Sequence, residues 1–141
     1  MRSDDGTMQA AIELVERYYA AFNAGDMRTF EGLLSEDVAH DINQGVRETG
    51  KQAFRAFMGR MNDAYRERLT DIVVLANADG TRASAEFVVH GEYLRSDAGL
   101  PPARGQRYRL PAGAFFDIRD GRIARVTNYY NLQDWISQVS G

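Results

Sequence analysis

Arg17-Tyr18-Tyr19-Ala20-Ala21-Phe22-Asn23-Ala24-Gly25-Asp26 is the most informative stretch of this chain. It reads as the end of an amphipathic helix, a glycine stop, and an aspartate able to cap the helix that follows. Working backwards, Met8, Ala11, Ile12, Val15, Tyr18, Tyr19 and Phe22 recur at intervals of three and four. That is one apolar stripe, running from a Thr7 cap to Ala24. Tyr18 carries a phenol on this stripe where hydrocarbon would suffice, and a buried phenol is either tied to a partner or presented to a ligand.

Working forwards, Asp26 caps a short second helix through Leu34, and Val38 to Ile42 alternates like a strand. A third helix follows Gly50, with Phe54, Phe57, Met58, Met61 and Tyr65 on one face. The period then changes to two. Leu69 to Ala76, Arg82 to Leu94, Gln106 to Ile118 and Arg122 to Leu132 read as strands. Ala78-Asp79-Gly80 and Asp120-Gly121 are hairpin turns, Ser96 to Gly105 is an irregular loop, and Gln133 to Val139 forms a short closing helix. Helices first and consecutive strands afterwards make an α+β pattern. The four long strands are expected to form a bent antiparallel sheet with helices across its concave side and a pocket between them. With no repeat or linker, residues 1–141 form one domain, its core at about residues 8–139.

Apolar residues make up 44% of the chain and charged residues 26%, the balance of an ordinary globular domain rather than a disordered one. The net charge of −3, with acids and arginines interspersed, argues against a nucleic-acid footprint or a polybasic membrane segment. Cysteine is absent, which removes disulfides, thiolate metal sites and cysteine nucleophiles. The two histidines, His40 and His90, lie far apart without ligand-spaced carboxylates, so no metal is expected. Neither a phosphate-cradling glycine loop nor a dinucleotide fingerprint occurs, and no cofactor is expected. The short polar start and the lack of a long apolar run lead to the expectation of a soluble cytoplasmic protein.

His40-Asp41-Ile42-Asn43 is the densest polar cluster on an otherwise apolar strand. Alternation puts Val38, His40 and Ile42 on one face and Asp41 and Asn43 on the other. The apolar parity places His40 in the pocket, where it can act as acid, base or hydrogen-bond donor. A bulge after His40 would instead turn Asp41 inward, where burial raises its pKa and makes it a better base. Both arrangements stay open at this level. The plainer reading is a core histidine satisfied by backbone beside a surface aspartate. Tyr65, at the end of the third helix's stripe, is a candidate for the pocket mouth, with core packing as its plainer role. Asn128 is a short amide in mid-strand, disfavoured there unless it makes a purposeful hydrogen bond. Phe87, Val89, Gly91 and Tyr93 share one parity, which places Glu86, His90 and Glu92 on the opposite sheet face.

These residues carry a resemblance. Arg17-Tyr18, Ala20-Ala21 and Asn23-Ala24-Gly25-Asp26 resemble the first helix of ketosteroid isomerases. Glu36-Asp37-Val38, the His40-Asp41 pair and Gly50 opening a Phe-rich helix resemble the SnoaL-like polyketide cyclases. Phe115-Phe116-Asp117-Ile118, a turn at Gly121 and Ile123 to Tyr130 resemble the closing hairpin of both. The resemblance implies the nuclear transport factor 2-like superfamily. Its fold is a cone of α+β structure in which three N-terminal helices pack on a bent antiparallel sheet and enclose a pocket.

By this resemblance Tyr18 falls on the isomerases' oxyanion tyrosine, whose partners there are an aspartate base and a protonated aspartate. The base falls near Asp41, an ungapped match placing Ile42 at that position, and the second donor falls near Ala114, which is apolar. By analogy with the closing hairpin, Val126, Asn128 and Tyr130 point into the cone. The implied activity is proton transfer next to the carbonyl of an apolar small molecule, by isomerisation or aldol-type cyclisation. Tyr18, His40 and Asp41 are then the catalytic candidates, and Asn43, Tyr65, Asn128 and Tyr130 the substrate-binding ones. Two rivals accompany it: a module that binds an apolar ligand without turnover, and an interaction protein whose pocket is filled by Phe57, Phe116 and Tyr130. Under each, a homodimer formed through the outer sheet face is expected.

Overall fold

The computed structural model describes residues 7–141. Helix α1 spans Met8–Ala24, with the Thr7 side chain accepting from the Ala10 amide. Gly25 ends it in the left-handed region, at φ 70°, and its N–H reaches the carbonyls of Ala21 and Phe22. Asp26 caps α2 (Met27–Gly32) by accepting from Thr29. This helix stops short of Leu34, which instead opens β1 (Leu34–Asp41). A three-residue strand, β2 (Arg47–Thr49), precedes α3 (Lys51–Ala64). The long strands are β3 (Tyr65–Ala76), β4 (Arg82–Tyr93), β5 (Gln106–Arg119) and β6 (Arg122–Tyr130), and α4 (Leu132–Ser140) closes the chain.

The strands form one six-stranded sheet in the order β2-β1-β6-β5-β4-β3. The four long strands β3, β4, β5 and β6 pair antiparallel as expected, and the whole sheet is mixed because β1 runs parallel to β6, with His40 opposite Val126 and Asp41 opposite Thr127. The register shifts between Leu34 and Ala39 on β1, between Thr70 and Val73 on β3, and between Asp117 and Ile118 on β5. Such irregularities bend a strand and increase its twist. No shift follows His40, so the bulge that would have turned Asp41 inward is not formed.

The α1 stripe buries Ala11, Leu14, Val15, Tyr18, Tyr19 and Ala21 against the sheet. Asn23, one residue beyond Phe22, bonds both the amide and the carbonyl of Leu69, each at 2.9 Å. It thereby fixes the end of α1 to edge strand β3. At the other end of the concave face Trp135 of α4 packs edge-on to Tyr65, Tyr93 and Tyr108.

Candidate active site

A cavity of about 500 Å³ lies between α1, α3 and the sheet. This is the size range of small-molecule sites. Its walls are mostly aromatic and aliphatic. Phe57 and Tyr130 stand in the wall, and Phe116 is wholly buried in the core beneath α1, so the three do not fill the space as the interaction-protein rival required.

His40 projects into this cavity from β1 and is 1% exposed. Its ring stacks on Phe54, with centroids 4.1 Å apart, and meets the edge of Phe57 at 4.7 Å. Burial pushes the imidazole pKa down to about 4, with the nearby Asp41 charge opposing the shift. The ring is therefore neutral at neutral pH. Its Nε2 lies 3.4 Å from Asn128 Nδ2, and its Nδ1 is buried without a partner among the described residues. With the Asn128 amide nitrogen as donor, the imidazole proton sits on Nδ1 and Nε2 keeps the lone pair.

Asp41 faces the other way. Arg47 grips both of its carboxylate oxygens, at 2.6 and 3.0 Å, and the Thr127 hydroxyl donates to one of them at 2.6 Å. These contacts, led by the Arg47 hydrogen bonds, hold its pKa down to about 2. Asp41 does not line the cavity, and the catalytic place considered for it is corrected accordingly. Regular alternation, unbroken at His40, is the reason.

Tyr18 reaches the cavity from α1, stacked on Phe30 at 4.5 Å, while Phe30 meets Phe54 at 5.7 Å. A continuous run of rings thus links Tyr18 to His40. The Tyr18 hydroxyl has no hydrogen-bond partner among the described residues, and neither has that of Tyr19, also in the wall. Burial raises both phenol pKa values far above the ordinary range, so both remain protonated donors.

Asn43 lines the cavity although alternation placed it outside, because β1 ends at Asp41 and the chain turns. Its Oδ1 accepts from the Tyr130 amide at 3.2 Å, and its Nδ2 is buried with no hydrogen-bond partner among the described residues. Tyr65 lines the cavity as the first residue of β3, not as the last of α3, and its hydroxyl donates to Asp97 at 2.9 Å. Tyr130 is likewise in the wall. His90, on the opposite face, meets the Thr70 hydroxyl at 2.9 Å. Sequence reasoning missed Tyr19 and Glu67. The signal for Glu67 was available, since it shares the parity of Tyr65 and Leu69 and is thus an acid on an inward-facing set.

The SnoaL-like domain profile matches residues 15–126. The chain belongs to the SnoaL-like domain family. A "putative polyketide cyclase" from Pseudomonas putida KT2440 is 70% identical, with a TM-score of 0.91 over 92% of this chain and 97% of that one. Another so named, from Xanthomonas campestris pv. campestris, is 63% identical, with a TM-score of 0.91 over 94% and 98%. An NTF2-like protein of unknown function from Burkholderia pseudomallei K96243, 14% identical, superimposes with a TM-score of 0.79 over 94% of this chain and 98% of that one. The fold is NTF2-like. None of the curated proteins matches the chain.

Within this SnoaL-like cavity the position expected for a base holds Ile42, a wall residue. Ala114, where a second donor was expected, opposes Asn128 directly across β5 and β6. The amide beside His40 therefore comes from the neighbouring strand. No group of three metal-ligating side chains occurs among the described residues. No described helix is long and apolar enough to cross a membrane.

Proposed function

We propose that this SnoaL-like protein catalyses proton transfer next to the carbonyl of an apolar cyclic compound, without a cofactor, by isomerisation or aldol-type cyclisation. The observation that carries the reading is a neutral imidazole beside an amide in an apolar cavity where the Tyr18 and Tyr19 hydroxyls have no hydrogen-bond partner among the described residues. His40 Nε2 takes the proton from carbon once the Asn128 amide swings from the imidazole to the substrate oxygen. Tyr18, with Asn128, donates to the oxygen on which the enolate charge collects. A base of such low strength suffices only where the enolate is stabilised strongly, and a dry cavity with donors already oriented does that.

The test is hydrogen–deuterium exchange at the α-carbon of a panel of cyclic ketones, followed by NMR at neutral pH. The wild type is expected to accelerate exchange on at least one of them. His40→Phe is expected to lower that rate by about a hundredfold or more, the usual range for a positioned base. Equal rates in the two proteins would sink the assignment. The low basicity of His40 favours one rival, a module that binds the same compounds without turnover. It predicts binding with no exchange above the solvent rate.

A further inference from the structure

Among the described residues lining the cavity, Glu67 is the only carboxylate. It lies in one cross-strand row with Gly91 and Tyr108, since Glu67 pairs with Gly91 on β4 and Gly91 with Tyr108 on β5. The Tyr108 ring passes over Gly91, where any Cβ would overlap it, and its hydroxyl donates to Glu67 Oε2. The row is thus built around a glycine that allows the phenol across. Glu67 Oε1 has no hydrogen-bond partner among the described residues. Burial raises the carboxyl pKa and the Tyr108 bond lowers it, with burial dominant.

Glu67 and His40 border the same cavity from opposite ends of the sheet. Strands β6, β5 and β4 lie between their strands, and at about 4.8 Å per step this is roughly 19 Å along the sheet surface. The cavity therefore carries polar groups on two walls set apart by the width of the sheet. A ligand with one carbonyl satisfies only the His40 end. We propose that Glu67 receives a hydroxyl, alcohol or phenol, at the end of the ligand remote from the carbonyl held near His40 and Asn128. A hydroxyl fits because it both donates and accepts, and so satisfies Oε1 whether or not the carboxyl is protonated. A carbonyl serves only the protonated form and an ammonium only the ionised one. This inference rests on the proposed proton transfer for its carbonyl end, while its hydroxyl end concerns binding alone.

The experiment compares dissociation constants of 2-naphthol and naphthalene by calorimetry or fluorescence. The wild type is expected to prefer the naphthol by about tenfold or more, the worth of a hydrogen bond to a charged or polarised group. Glu67→Leu is expected to bring that ratio close to one, and His40→Phe to leave it in place. Should the leucine variant fail to fold, Glu67→Gln keeps the shape and is expected to lower the ratio about threefold. A wild-type ratio near one, with absence of binding included, overturns the proposal. So does a preference that survives at Glu67 variants and vanishes in His40→Phe. If no ketone exchanges deuterium while the naphthol preference depends on Glu67, proton transfer fails and the hydroxyl site stands. Exchange with no dependence on Glu67 separates them the other way.

Discussion

His40 and Phe54 lie face to face, their planes within 2° of parallel. The phenyl ring covers one side of the imidazole with hydrocarbon, Phe57 closes its edge, and water is kept from the group. This geometry is the cause of the depressed pKa, and it sets a pH dependence. The ordinary value is 6.5 and the folded value about 4, so between them the unfolded chain binds more protons than the folded one. Stability therefore rises with pH across this window and falls on acidification, by up to about 1.4 kcal/mol per pH unit for one proton. Urea unfolding at pH 5 and pH 7 is expected to show this slope in the wild type and a shallower one in His40→Phe. Equal slopes would mean that His40 is not desolvated in the native state.

Tyr19 offers a test of a hydroxyl that has no hydrogen-bond partner among the described residues. Leaving a buried donor unsatisfied costs about 1–3 kcal/mol, so Tyr19→Phe is expected to stabilise the protein. A rise in Tm of about 3 °C or more is expected by calorimetry. A fall would reveal a partner for this hydroxyl in solution.

Gly91 and Tyr108 are coupled through space. Gly91→Ala forces the tyrosine ring off the strand and breaks its bond to Glu67, and Tyr108→Phe removes the same bond without a clash. Each is expected to destabilise by about 1–3 kcal/mol, and the double variant by less than their sum. Strict additivity in chemical denaturation would show that the two act separately.

Asp41→Asn separates the outer face from the cavity. Its carboxylate pKa of about 2 lies below the ordinary 3.8, so its contribution is present above the ordinary value and is lost as pH falls toward 2. The variant is expected to lose that acid-side slope. Its ketone exchange rate and naphthol affinity are expected to stay within about twofold of the wild type, an order set by its distance from the wall. A collapse of exchange would return Asp41 to the catalytic group.

The helices and the two hairpin turns were legible because each rests on local chemistry: a stripe of period 3.6 or an αL glycine. Other features depend on distant parts of the chain. The parallel pairing of β1 with β6 leaves no mark in either strand, and β2 is too short to show a period. Tyr65 fitted the α3 stripe and also starts β3, and only its extended backbone decides between them. Asn43 escaped alternation because the strand ended two residues before it. Glu67 was readable as an acid on an apolar parity, but its purpose becomes visible only when Gly91 and Tyr108 are set beside it.

The pairing of β1 with β6 also governs the order of assembly. His40 meets Val126, which lies 86 positions further along the chain, and until the ribosome has released residues 122–130 its strand has only the three-residue β2 beside it. Closing so long a loop is slow relative to local hairpins, so β3, β4 and β5 can pair first. The wall that carries the imidazole is then the last to be installed. A nascent chain arrested before β6 would hold the Glu67 end of the chamber and none of its chemistry at the other.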